Sequence, residues 1–347
     1  MGLHGAKFRP YIRRRFGYDA DVNRRNVISF LIGGAALAPL AAHAQQSMPV
    51  IGLLGGSTAK GGVPFVTAFR RGLSEAGFVE GRNVTIKDRW AEGRYDRLPA
   101  LAAELIQSQV AVLVAFTTPA ALAAKAATAT IPVVFSTIAD PVQLGLVASL
   151  SRPGGNVTGL TSLIVEVGPK LLELLHELVP TATDMALLVN PNSPNIEILS
   201  RDVQAAARAL GLKLHVLRAS DERGIDAAFA SLVQLRAGGL VIGADTVFSS
   251  RSGQIAALAL RHAVPSIVGS TLGFAAAGLL MSYGGSQTDQ YRQVGVYAGR
   301  VLKGEKPADL PVLQSAKFEM IINLTTAKAL GITVPPKLMF TADEVIE

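Results

Sequence analysis

The 347-residue chain is longer than one hydrophobic core comfortably supports and close to what two ordinary domains need. Hydrophobic residues make up 49% and charged residues 17%, which excludes a disordered or highly charged chain and calls for a search for membrane segments. The absence of cysteine removes disulfide frameworks, thiolate metal sites, thiol nucleophiles and a lipobox anchor. A net charge of +7 would suggest a nucleic acid or anionic lipid partner if it were spread over the folded part, but five of those seven charges fall in the first 44 residues. No nucleic-acid partner is therefore expected.

Those first residues carry Lys7, Arg9, Arg13, Arg14, Arg15, Arg24 and Arg25, then an apolar stretch from Ile28, then Ala42-His43-Ala44 before Gln45. A basic region, an apolar core and small residues at a cleavage point read as an export signal cleaved near Ala44. The apolar part is too short and too rich in Gly and Ala for a lasting membrane span, which needs roughly 20 strongly apolar residues. Arg24-Arg25 resembles a twin-arginine signal, which leaves the Sec and twin-arginine routes both open. Residues 1–22 look unlike a signal and fit a start codon chosen too early.

Beyond Gln45 the pattern predicts strands at 50–54, 83–90, 110–115 and 132–136 alternating with helices at 65–76, 98–106 and 119–127. Strand and helix in strict alternation imply a mainly parallel sheet with right-handed connections. Residues 151–159, rich in Pro, Gly and Asn, read as a connection between two bodies. A second alternating series follows, with helices at 170–178, 195–210, 225–235 and 253–262 and strands at 185–189, 212–217, 240–242 and 266–268. An apolar run at 278–283, a helix at 290–302 and a strand at 318–322 complete the chain. The expected class is α/β with two halves.

Catalytic motifs fail on spacing. Gly269-Ser270-Thr271-Leu272-Gly273 puts serine one place too early for a nucleophile elbow, and residues 55–62 have Lys60 without the spacing or following hydroxyl of a P-loop. Gly52, Gly55 and Gly56 have the wrong order for a dinucleotide fingerprint, although Asp88 stands where a ribose carboxylate would. His176, His215 and His262 lie far apart without ligand spacing, so neither a metal nor an organic cofactor is expected. The balance favours binding over catalysis.

What remains is a set of polar turns at the carboxyl ends of predicted parallel strands, where open α/β sheets hold ligands. They are Ser57 and Thr58, Thr117 and Thr118, Ser136 with Asp140, Asn190 with Asn192, and Asp245. Thr117 and Thr118 precede a helix that opens on Pro119, so hydroxyls and free amides at a positive helix end suit a carboxylate, while Asp140 or Asp245 suits an ammonium. Plain helix capping or turn formation is the commoner role for each such residue taken singly, and the set is stronger than its members. Tyr283 is a candidate pocket wall and Trp90 a strand-end packing residue.

Several longer stretches resemble a known family. They are MPVIGLLGGS at 48–57, LSEAGFVEGRNV at 73–84, RWAEGRYDRLPA at 89–100, DPVQLGLV at 140–147, RPGGNVTG at 152–159, MSYG at 281–284 and FEMIINLTTAKALGITVP at 318–335. The likeness is to the substrate-binding proteins of a largely uncharacterised branch of bacterial ABC importers, and it covers the whole chain past the signal. It implies a type I periplasmic-binding fold, with two Rossmann-like lobes, three crossovers and ligand in the cleft. One lobe would be 49–159 plus 286–312 and the other 160–285 plus 313–347, after the N-terminal segment 1–44. The resemblance implies a periplasmic monomer that captures an amino acid or related small organic acid or amide by hinge closure and serves an ABC permease and its ATPase. In amino-acid binders of this fold, Ser or Thr at positions matching Ser57, Thr117 and Thr118 holds the carboxylate and an acidic residue holds the ammonium. Gly154-Gly155, Gly284-Gly285 and the segment before Phe318 are hinge candidates. A sensory ligand-binding protein and an exported enzyme on a two-lobed fold are the alternatives.

Overall fold

The computed structural model of the protein describes residues 48–270, 273–315 and 318–347, so the segment expected to be an export signal and the residues just before Phe318 lie outside it. Strand β1 (Val50–Gly55) leads to helix α1 (Ala59–Glu75), then β2 (Thr85–Trp90), α2 (Leu98–Gln107), β3 (Val112–Phe116), α3 (Thr118–Ala127), β4 (Val133–Thr137) and β5 (Val157–Thr161). Each helix returns the chain across a sheet face, so the strands pair in parallel in the order β2-β1-β3-β4-β5. β1 and β3 are apolar runs, and β4 is apolar up to Ser136, because helices cover both faces; apart from Val50 every residue in the three is buried.

β5 corrects the expectation of a plain connection at 151–159. The turn ends at Asn156, and Val157 onward pairs with β4. Its polar sequence VTGLT survives burial because Thr158 Oγ1 donates to Leu310 O and Thr161 Oγ1 to Ala139 O, at 2.7 and 2.9 Å.

The second series comprises α4 (Gly168–Leu178), β6 (Asp184–Val189), α5 (Ile196–Ala209), β7 (Lys213–Arg218), α6 (Glu222–Gln234), β8 (Leu240–Ile242), α7 (Thr246–Ser250), α8 (Ser252–Arg261), β9 (Ser266–Val268) and β10 (Met281–Gly285). Its strands are parallel in the order β7-β6-β8-β9-β10. The chain then returns to the first sheet. Helix α9 (Gln287–Leu302) packs on α1, and β11 (Leu313–Gln314) pairs with β5. It finally re-enters the second sheet as β12 (Phe318–Asn323), antiparallel to β10, followed by α10 (Leu324–Ala329), α11 (Pro336–Thr341) and β13 (Glu344–Ile346).

The two sheets thus belong to an α/β protein of two lobes that exchange the chain three times, after β5, after β10 and after β11. Gly284 and Gly285 end β10 at the second exchange, whereas Gly154 and Gly155, with φ of 71° and 63°, close a surface turn inside the first lobe. Each sheet has its own core, built around Phe69, Phe116 and Tyr297 in one and Leu187, Val241 and Ile267 in the other.

The docking of α9 on α1 is backbone to backbone. A Cβ on Gly72 would fall 1.7 Å from Arg292 O, and one on Gly295 would fall 2.1 Å from Phe69 O. Only glycine permits that approach, and the approach sets where α9 presents Gln290 and Tyr291. Strand order reverses beside β1 in the first sheet and beside β6 in the second. The loops after β1 and β3, and those after β6 and β8, therefore open crevices at the carboxyl ends of their sheets.

Candidate functional site

The crevices of the two lobes together line a cavity of about 580 Å³, counting the space at its open mouth. The first lobe contributes Thr117 and Thr118 after β3, Ser136 at the end of β4, Tyr95, and Gln290 and Tyr291 from α9. The second contributes Ser193 and Asn195 after β6, Asp245 and Thr246 after β8, and Ser249 from α7.

Thr117 is the most constrained residue of the first wall. Its φ is 101°, in the region that a β-branched residue adopts only under strain, and it stands at the N-cap of α3 without capping that helix by its side chain. Its Oγ1 is inaccessible to solvent and has no hydrogen-bond partner in the protein. A Cβ on Gly56 would sit 2.7 Å from that oxygen, so glycine at 56 is what leaves the hydroxyl room. Thr118 Oγ1 is tied to Thr137 Oγ1 at 2.7 Å, and Pro119 removes one amide from the first turn. The wall thus presents an unused hydroxyl beside first-turn amides that the helix itself cannot pair, with the positive end of the helix dipole behind them.

The second wall is built around a carboxylate. Asp245 caps α7, with Oδ1 accepting from Val247 N at 2.9 Å, from Asn190 Nδ2 at 3.0 Å and from Tyr95 OH at 3.0 Å. All three donors are neutral and meet one oxygen of a side chain that lines the cavity. Burial pushes the Asp245 carboxyl above the usual range, while the three donors pull the other way. Asn190 is itself held by Asn192 N, which donates to Asn190 Oδ1 at 3.0 Å. Nearby, Asn195 Oδ1 is buried with no partner.

Between these polar groups lies an aromatic face. Phe65 and Tyr291 have ring centroids 4.4 Å apart, and Tyr291 meets Phe116 edge-on at 4.6 Å. Burial pushes the Tyr291 phenol up to about 12, with Ser136 beside it pulling back, so the ring stays neutral. Tyr95 is shifted well upward too, chiefly by burial and then by the Asp245 carboxylate.

The residues singled out from sequence fall into three groups. Thr117, Thr118, Ser136 and Asp245 line this cavity, and Asn190 reaches it through Asp245. Ser57 lies in a neighbouring recess that shares Phe65, Thr246 and Ser249 with it. The remaining four serve local structure. Thr58 Oγ1 caps α1 by accepting from Gly61 N, Asp140 Oδ1 accepts from Val142 N in a turn, Asn192 is exposed, and Tyr283 stacks on Phe318 at 5.7 Å. Trp90 packs at its strand end, where a Cβ on Gly55 or Gly62 would fall 2.1 Å from its ring.

Tyr95, Phe65, Asn195, Gln290 and Tyr291 were not legible as site residues. Phe65 shares its helical spacing with the core residues Phe69 and Leu73, which disguised it. Gln290 offered a signal, being an amide in the first turn of an otherwise amphipathic helix; it is buried and donates Nε2 to Thr137 O at 3.0 Å. Among the described residues no cluster of three or more His, Cys, Asp or Glu could hold a metal ion. No described helix is long and apolar enough to cross a membrane.

The family model for ABC transporter substrate binding proteins matches residues 63–346. The chain belongs to the ABC transporter substrate-binding protein family. This substrate-binding protein is 30% identical over 266 residues to a tyrosine-binding protein of Clostridioides difficile (strain R20291), covering 76% of the chain and 75% of that relative. It also resembles a solved ABC domain in complex with L-Trp from Streptococcus pneumonia, at 25% identity and TM-score 0.78, covering 86% of this chain and all of that one. A ligand-free, open substrate binding protein with adhesive properties from Clostridium difficile matches at the same 25% identity and 86% coverage of this chain, with 99% of its own length covered, but with a TM-score of only 0.59.

Proposed function

We propose that this chain is the exported solute receptor of an ABC importer and that its ligand is a free α-amino acid with an aromatic side chain. In this reading the N-terminal segment directs export to the periplasm, the folded chain acts as a monomer, and the closed form is handed to the permease and its ATPase. The observation that carries it is the opposition of two unfinished polar walls. One offers donors without acceptors, at the unpartnered Thr117 hydroxyl and the amides that open α3. The other offers Asp245 Oδ2 without a cation. A zwitterion completes both at once, with its carboxylate on the first and its ammonium on the second. Phe65, Tyr95 and Tyr291 give an apolar face for a ring. The tyrosine and tryptophan named for the relatives support this choice of side chain.

Thermal unfolding of the purified protein, first unfolded and refolded to strip carried ligand, tests the reading against a panel of amino acids, amides, aromatic acids and sugars. A ligand at 100 times its dissociation constant stabilises the native state by about 2.7 kcal/mol. Aromatic L-amino acids should raise the melting temperature most, unchanged in amount after incubation. A response confined to sugars or to acids without an amine would overturn the assignment, and consumption of a ligand would indicate an enzyme.

A further inference from the structure

Tyr95 is the residue that physically joins the two walls. It belongs to the first lobe, yet its phenol donates to Asp245 Oδ1 at 3.0 Å and pairs with Thr246 Oγ1 at 2.7 Å in the second. A phenol has one proton, so donation to the carboxylate leaves its lone pairs to accept from the Thr246 hydroxyl. The loop that carries Tyr95 is fastened to the turn after β1, with Ala91 N donating to Gly55 O, Glu92 N to Ser57 O and Gly93 N to Gly56 O, at 2.9, 3.1 and 3.0 Å. Glu92 adds a further tie by accepting Ala59 N on Oε1 at 3.1 Å. The same turn backs Thr117 through Gly56, which also lies close to the Tyr95 ring. Tyr95 is thus set rigidly on the carboxylate side of the site and reaches across to the amine side.

The chemistry of that reach depends on Asp245. No basic side chain among the described residues pairs with it, and a deeply placed carboxylate without a cation is costly to ionise. An ammonium on Oδ2 supplies the missing charge, and Oδ1 then becomes a charge-assisted acceptor for the Tyr95 hydroxyl. We propose that Tyr95 is a positioning residue that makes closure of the cleft conditional on the ligand's amino group, through Asp245. This deepens the amino-acid reading above and rests on it. It implies a selection rule: des-amino aromatic acids of the same shape enter the cavity but do not gain the tight, closed state.

The test is a ligand-by-variant cycle on the purified, ligand-stripped protein. Titration calorimetry would compare wild type and Tyr95→Phe against L-phenylalanine, L-tyrosine and L-tryptophan, and against 3-phenylpropanoate, which lacks the amine. Tyr95→Phe is expected to weaken the aromatic amino acids by about tenfold or more, the loss typical of a hydrogen bond to a charged group, and 3-phenylpropanoate by less than about threefold. A second arm replaces the ligand change by Asp245→Asn, in which background Tyr95→Phe should cost L-phenylalanine no more than about threefold. Ligand-free melting curves of the variants report folding separately. Equal losses for ligands with and without the amine, or no loss at all, would overturn the coupling and leave the amino-acid reading standing. Failure of the wild type to bind any of the three amino acids would overturn that reading and the coupling together.

Discussion

The two walls of the cleft reach complementary electrostatics by opposite constructions. In the first lobe the candidate groups are almost all backbone and hydroxyl, and their geometry comes with strain at Thr117, whose φ is positive and whose hydroxyl has room only because residue 56 is glycine. In the second lobe the backbone at Asp245 is ordinary extended chain and the strain there is electrostatic, since burial raises the Asp245 carboxyl and its partners are three neutral donors. Each wall is therefore less stable alone than an inert version of itself would be. The two walls are thus strained in different ways, one conformationally and one electrostatically, and single substitutions can separate their effects.

The largest expected effect is at Asp245. Asp245→Asn keeps Oδ1 for its three donors and replaces only Oδ2, so the ligand-free chain should melt no lower than wild type, while affinity for an aromatic amino acid falls by about a hundredfold or more, as measured by calorimetry. Next is the scaffold that aims the first wall. Gly295→Ala places a Cβ 2.1 Å from Phe69 O and should destabilise the protein by about 2–3 kcal/mol in a denaturant melt, because backbone cannot move aside as a side chain can. Thr117→Gly should act with opposite signs on the two quantities. It relieves the positive φ, raising ligand-free stability by up to about 1 kcal/mol, and removes the hydroxyl, weakening binding by about tenfold.

Acidification gives a smaller and graded effect whose sign follows from burial. The folded Asp245 carboxyl is raised, so in the ligand-free chain its contribution to stability is fully present below the ordinary aspartate range and is lost as pH rises through the raised value. Ammonium binding requires the ionised form, so affinity should run the other way, falling with pH sooner than an ordinary aspartate would allow and with proton release on binding, measurable by calorimetry in buffers of different ionisation heat. Smallest of all, Asp140→Asn and Tyr283→Phe should change affinity by less than about threefold, because one caps a turn and the other packs on Phe318 outside the cavity.

Much of the fold was legible because parallel strands covered on both faces print themselves as apolar runs such as VLVAF, separated by helical spacing. β5 escaped because its burial is satisfied by threonine hydroxyls rather than apolar side chains, a compensation that needs Leu310 and Ala139 brought in from elsewhere. The polar ends of strands were legible too, since Thr117, Ser136 and Asp245 follow β3, β4 and β8 at their carboxyl ends or stand within them. What sequence could not rank was which polar turn caps a helix and which faces the cleft: Thr58 and Thr117 both stand at an N-cap, and only Thr58 uses its hydroxyl there. Tyr95 was invisible for a different reason. Its partner Asp245 lies 150 residues away on the other lobe, and no local pattern encodes such a pairing.

In the function proposed, a zwitterionic aromatic amino acid bridges the N-terminal end of α3 and Asp245. Calorimetric titration of the ligand-stripped protein with L-tyrosine, beside its Asp245→Asn variant, tests this most directly. The wild type should show one site per chain and the variant a loss of about a hundredfold, with ligand-free melting preserved. Equal affinity in the two proteins would contradict it, because the ammonium would then be held elsewhere or not at all.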